Sequence, residues 1–251
     1  MKENKPLFLL LLGVEGAGHH MLMAFLKHFF NSQKVVQHGS WHPYFFNRWD
    51  AQKTIQKQQA VKIQSYSALK NEIDRLMFAS QATLMYSGVS FPYGAERDTL
   101  RRPDIIDMVE LLGDHVEFRP LIIYRDPVSC AYSALRRGFN NNVLHQARIV
   151  EDNLLYIKQQ LQACDIGYRS ISFENFLSSP SAYEVGLKHW WALSDESFNA
   201  GKKEIRKPTS KKDIPSSNVE QLSRFFSPLR TRQWDAFLER CEMTSMPEYC
   251  A

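Results

Sequence analysis

The feature that most constrains the fold is an unbroken apolar run, Leu7-Phe8-Leu9-Leu10-Leu11-Leu12. It gives way at once to Gly13-Val14-Glu15-Gly16-Ala17-Gly18 and then to Met21-Leu22-Met23-Ala24-Phe25-Leu26. A strand that is apolar at every position must be buried on both faces, which is the condition of a parallel sheet covered by helices. The second apolar stretch reads as a helix, so the glycines form the turn between strand and helix. Glycines and a small alanine leave backbone N–H groups free to point inward, and the following helix adds its positive end. An anion is then stabilised without a cationic side chain. The turn therefore reads as a phosphate cradle running over Gly13, Gly16, Ala17, Gly18, His19, His20 and Met21.

The glycine spacing is the G-x-x-x-x-G of a P-loop, but His19 and His20 stand where a nucleoside triphosphatase carries Lys and Ser or Thr. The groups that would hold a terminal phosphate and Mg²⁺ are missing, which argues against ordinary ATP or GTP chemistry. A second segment lies far downstream. Leu121-Ile122-Ile123-Tyr124 is another buried-strand run, Arg125-Asp126-Pro127 follows it, and Ser133 comes eight residues after Arg125 in the expected first turns of a helix. A guanidinium and a hydroxyl at one strand tip suit a second phosphate. Arg125 could equally pair with Asp126 or another acid.

With both segments placed, the chain resembles the sulfotransferases that use 3′-phosphoadenosine 5′-phosphosulfate (PAPS). In that family a Gly-rich loop after the first strand binds the 5′-phosphosulfate. An R-x-P stretch with a Ser eight residues after the Arg binds the 3′-phosphate. The matching positions here are Gly13 to His20, then Arg125, Pro127 and Ser133. Ile171-Ser172-Phe173-Glu174-Asn175-Phe176-Leu177-Ser178-Ser179-Pro180 is similar to the family's "YEDL…DP" strand end and leads into a helix containing Trp190, Trp191 and Leu193. The ordered set runs from Leu7 to about Leu193.

The resemblance implies a three-layer P-loop-type α/β domain with a central, mostly parallel sheet flanked by helices, and residues 1–251 are expected to form one such domain. It implies transfer of a sulfuryl group from PAPS to a hydroxyl or amine of a small-molecule or glycan acceptor, releasing adenosine 3′,5′-bisphosphate (PAP). Two alternatives stay open: a divergent P-loop phosphotransferase, and a non-catalytic nucleotide-binding protein of the same fold.

The chain departs from the family at one point. Aligned on Gly18, the family's loop Lys or Arg falls on Gly16, and its Thr or Ser pair falls on His19 and His20. Those histidines are the local candidates to assist the leaving oxygen, because an imidazole donates a hydrogen bond when neutral and adds charge when protonated. The attacking acceptor must also lose a proton. The family's base is a His before the 3′-phosphate motif or a Glu on the second strand; Ser90 falls near the first place and His38 and His42 near the second. His42 is the leading candidate, with His38 and Glu96 behind it and His19 or His20 as a further choice. Each of these histidines has a purely structural reading as a hydrogen-bonded group near a strand end.

At 251 residues, 44% hydrophobic and 12% aromatic, the chain has enough apolar surface for a substantial core. A net charge of +4 suits an anionic cofactor without implying nucleic acid. The basic residues Lys202, Lys203, Arg206, Lys207, Lys211 and Lys212 share one Pro- and Ser-containing stretch. By the family resemblance this is a late loop closing over the 3′-phosphate, with Lys207 and Lys211 as cofactor contacts; otherwise it is a solvated surface.

Cys130, Cys164, Cys241 and Cys250 make no C-x-x-C pair, so no zinc site or disulfide framework is indicated, although Cys241 and Cys250 could bridge in an exported protein. The apolar run at the N-terminus is too short to span a bilayer and ends in the glycine turn, so it is read as strand one of a cytoplasmic protein with no membrane partner.

Other elements follow from periodicity. Val35 to His38 and Thr83 to Tyr86 read as strands, and Ser67 to Phe78 as a helix. The apolar positions from Ile105 to Leu112 form a helix that stops at Gly113, and Ile149 to Leu161 forms another. Ser217 with Glu220 fits a capping box for a helix ending before Pro228, and a final helix holds Trp234, Phe237 and Leu238. The loops 39–50 and 87–102 would build the acceptor pocket.

Overall fold

A computed structural model describes residues 5, 7–32, 35–37, 67, 71, 84–88, 105–205 and 215–244. Among the described residues its centre is a five-stranded parallel sheet of order β2-β3-β1-β4-β5. The strands are β1 (Leu7–Leu12), β2 (Val35–Gln37), β3 (Leu84–Gly88), β4 (Glu117–Tyr124) and β5 (Arg169–Ser172). Phe8 to Leu12 are fully buried, as an all-apolar central strand requires. β1 lies between β3 and β4, with Leu7 opposite Leu84 on one side and Glu117 on the other.

Among the described residues the α-helices with defined bounds are α1 (His19–Ser32), α2 (Ile105–Leu112), α3 (Pro127–Arg136), α4 (Val143–Cys164), α5 (Phe173–Ser178), α6 (Glu184–Trp191), α7 (Asp195–Glu204), α8 (Ser216–Phe225) and α9 (Pro228–Arg240). From β1 the chain crosses towards the β2 edge, whereas from β3 and β4 it crosses towards β5. Right-handed crossovers in opposite directions put α1 on one face and α2 and α4 on the other. The packing agrees: α1 lies against α7, and α4 lies against α2, α3, α8 and α9. The result is a three-layer P-loop-type α/β fold. Its switch point falls between β1 and β4, and in open α/β folds the ligand crevice lies outside the C-terminal strand ends at such a point.

Several boundaries differ from the periodicity. β4 begins at Glu117 because the polar start of the strand still pairs with β1. β5 joins only from Leu121 onward, so Pro120 sits where no β5 neighbour asks for its missing N–H. The carbonyls of Arg119 and Pro120 are satisfied instead by the indole N–H groups of Trp191 and Trp190 at 2.9 and 3.0 Å. The helix carrying those tryptophans ends at Trp191; Ala192 turns left-handed at φ 54°, leaving Leu193 outside it.

α4 runs from Val143 to Cys164, its start fixed by Asn142, whose side chain accepts from the His145 amide. The expected capping box at Ser217 does not form. Pro215 occupies the N-cap position of α8, Ser217 lies inside the helix, and Glu220 pairs with Arg224 instead. Ser67 and Asn71 are helical, but the remainder of the expected Ser67–Phe78 helix lies outside the described residues.

Candidate functional site

The glycine turn crosses the C-terminal end of β1 and delivers the chain to α1. Gly16 and Gly18 adopt φ of +90° and +108°, which residues with a Cβ rarely take. There is also no room for one. A Cβ on Gly16 would stand 2.8 Å from the Cys130 carbonyl oxygen and 3.1 Å from the Ser133 Cβ, and one on Gly18 would stand 2.2 Å from the Phe173 ring. Ala17 N–H closes the turn on the Val14 carbonyl at 3.0 Å, and Met21 and Leu22 both donate to Gly18. The first turn of α1 brings amides that no helix carbonyl can accept, so this end attracts an anion. The position where the family carries its Lys or Arg is thus sterically closed to any side chain.

The second segment meets the first. Asp126 does not pair with Arg125; its carboxylate caps α3, accepting from the amides of Val128 and Ser129 at 3.3 and 2.9 Å, with Pro127 in the first turn. Arg125 is thereby free to lean over the glycine turn. It donates from Nη1 to the Gly16 carbonyl at 3.2 Å, lies over the Phe173 ring at 4.6 Å, and has Nε 3.5 Å from Glu174 Oε1. Nε is buried and has no hydrogen-bond acceptor among the described residues. With its side chain 25% exposed, the guanidinium is reachable from solvent. Ser133 projects from the adjoining face of α3 beside Gly16. The residues that sequence reasoning paired, Arg125 and Ser133 with the glycine loop, do converge.

Cys130, fully buried behind Gly16, has its thiol pushed well above the ordinary range by burial; the opposing pull of Arg125 is the weaker effect. It is a packing residue, not a nucleophile.

The histidines divide. His19 packs its ring against Gly13, with both ring nitrogens shielded from solvent, whereas His20 is exposed. His38, His42, Ser90 and Glu96 lie outside the described residues, as do Lys207, Lys211 and Cys250. Of the basic stretch, Lys202 and Lys203 belong to the last turn of α7, and Lys202 sits over the Phe198 ring at 5.3 Å.

Three residues not assigned to the site by sequence reasoning belong to it. Phe173 supports both Gly18 and Arg125, Glu174 faces Arg125, and Arg137 reaches Glu15 of the loop at 2.5 Å. Phe173 and Glu174 lie at the strand end already picked out as a motif, so their placement was open to discovery. Arg137 had no signal beyond being a helix-end charge. Behind them, Glu242 collects the hydroxyls of Tyr124 and Tyr183 and the Asn175 amide. Burial first, then the negative charge and hydrogen bond of Glu242, raise both phenols well above their ordinary value.

Among the described residues no helix is long and apolar enough to cross a membrane. No protein-family model and no curated protein matches the chain. Solved structures of related shape include the sulfotransferase domain of the Synechococcus PCC 7002 olefin synthase, at 15% identity over 93% of this chain and 95% of that one, with a TM-score of 0.48. Mouse sulfotransferase SULT7A1 complexed with PAP aligns at 9% identity over 95% and 85%, with a TM-score of 0.44. A structure from the PezAT toxin-antitoxin system of Streptococcus pneumoniae aligns at 16% identity over 82% and 88%, with a TM-score of 0.34. At these levels the overall likeness is loose.

Proposed function

We propose that this protein is a PAPS-dependent sulfotransferase acting on a hydroxyl or amine of a small-molecule or carbohydrate acceptor. The observation that carries the reading is the meeting of Arg125 with Gly16, 109 positions away in the chain, over a glycine turn that has no space for side chains. A cradle of backbone donors, with the partly exposed Arg125 guanidinium and Ser133 both lying against Gly16, fits two anionic groups. The amides of Gly16, Gly18, His19 and His20 would hold the 5′ group, the Ala17 N–H being spent on the Val14 carbonyl; Arg125 and Ser133 would hold the 3′-phosphate. Bound there, PAPS supplies the sulfuryl group. The chain's own part is to orient that group and manage protons: His20, exposed at the head of α1, would donate to the departing oxygen, while His19 packs its ring against Gly13. His42 and His38 remain the proposed bases. Lys207 and Lys211 remain the proposed closing contacts, and no metal is required.

A second reading is favoured by one observation. Since Gly16 can carry no side chain, the loop has no cation of its own to draw off leaving-group charge, as a binding protein without turnover would allow.

Isothermal calorimetry with PAP, against ATP plus Mg²⁺, tests the site. Micromolar binding of PAP alone, weakened about a hundredfold by Arg125→Ala, is expected from loss of a charge-assisted contact. Preference for ATP, or an unchanged affinity in the variant, refutes the assignment. Turnover on an acceptor panel then separates enzyme from binding protein.

A further inference from the structure

Glu15 sets a problem that the anion-site reading does not solve. A carboxylate within a phosphate cradle repels the ligand, and with its side chain only 13% exposed it is also largely removed from water. Arg137 answers both difficulties. Its Nη1 meets Glu15 Oε1 at 2.5 Å, its Nε donates to the Ser133 carbonyl at 3.1 Å, and its guanidinium lies over the Phe139 ring at 4.7 Å.

The end of α3 is built to hold it there. Gly138 turns left-handed at φ 73°, its N–H donates to Leu135, and Phe139 folds back to donate to Ala134. That turn brings the Phe139 ring under the guanidinium. The same helix presents Cys130 and Ser133 to Gly16, so α3 grips consecutive loop residues through successive turns.

We propose that Glu15 and Arg137 form a neutralising clasp, in which Arg137 is a positioning residue that cancels the loop's own negative charge and fixes the loop on α3 without touching the ligand. This rests on the anion-site reading above. A salt bridge inside the cradle cancels the loop's own acid and leaves the local charge to be set by the backbone donors and by Arg125 with Glu174 at 3.5 Å from its Nε, which explains how a loop containing an acid can accept an anion.

The test is a charge cycle read by calorimetry with PAP on wild type, Arg137→Ala, Glu15→Gln and the double variant, with thermal melts run alongside. Arg137→Ala exposes the carboxylate and should weaken PAP about tenfold. Glu15→Gln should bind as tightly as wild type or tighter. The double variant should recover to within about threefold of wild type, since the charge to be cancelled has gone. Rescue of this kind is not expected of a residue that merely supports the fold or one that contacts the ligand. A double variant as weak as Arg137→Ala overturns the clasp. If Arg137→Ala does not fold, Glu15→Gln decides alone, because a tenfold loss in it contradicts the proposal and retained affinity supports it. Failure of wild type to bind PAP overturns the site reading and the clasp with it, whereas wild-type binding with an unrescued double variant overturns the clasp only.

Discussion

At Gly16 a positive φ and the nearness of the Cys130 backbone act together. Gly16→Ala must strain the loop or push it off α3, at a combined cost of about 2–4 kcal/mol. Calorimetry and thermal melts should show lost PAP binding and a lowered melting temperature; full affinity would mean that the loop does not need this conformation. Phe173 works differently, because its ring is the surface on which both Gly18 and Arg125 rest. Phe173→Leu keeps most of the buried volume, so stability should fall by less than about 1.5 kcal/mol. Loss of the aromatic face frees the guanidinium, and PAP affinity should drop roughly three- to tenfold. A large stability loss with unchanged affinity would make Phe173 a core residue only. Glycine positions were legible in the sequence because a turn of this kind tolerates no Cβ. The role of Phe173 was not, since its ring matters through the three-dimensional register that sets Ser172 beside Tyr124.

Among the elements, the segment after α9 closes the β5 edge. Ser170 N–H donates to the Cys241 carbonyl and Met243 N–H to the Ser170 carbonyl, which carries Glu242 to the hydroxyls of Tyr124 on β4 and Tyr183 ahead of α6. Both phenols are raised from the ordinary value of 10.0, so the folded state favours their neutral form. The sign follows: this stabilisation is fully present below about pH 10 and is lost as pH rises through the unfolded value towards the raised one. Melting temperature should therefore fall as pH is raised past about 10. Tyr183→Phe should begin less stable at neutral pH, having lost its bond to Glu242, and decline less steeply. Parallel slopes would remove this phenol from the alkaline transition. The buried strands β1 and β4 and the helices α2 and α4 were readable because continuous apolar runs and 3.6-residue spacing leave few alternatives. The edge closure by residues 241–243 was not, because a short isolated bridge has no periodicity. The α8 cap also misled: Ser217 and Glu220 have the right spacing, but Pro215 takes the N-cap position, so the helix starts at Ser216 and Ser217 falls inside it.

For the whole molecule, the reversal of crossover direction between β1 and β4 places the crevice where both helical layers meet the sheet. A ligand held there touches the β1 turn, the β4 tip, α3 and the start of α5, so it ties together parts of the chain that unfolding would separate. PAP at about a hundred times its Kd should stabilise the fold by about 2.7 kcal/mol, seen as a rise of roughly 5 to 10 °C in melting temperature. Arg125→Ala should abolish most of that rise at the same ligand concentration, while leaving the ligand-free protein folded, because the guanidinium is partly exposed and its bond to Gly16 is one contact among many. ATP with Mg²⁺ should give no comparable shift, since the loop offers neither the Lys nor the hydroxyl that a triphosphate and its metal use. An equal shift with ATP would place the specificity in general anion attraction at the helix end instead of in the pairing of Arg125 and Ser133. A PAP-dependent rise that survives Arg125→Ala would locate the second phosphate elsewhere on the crevice.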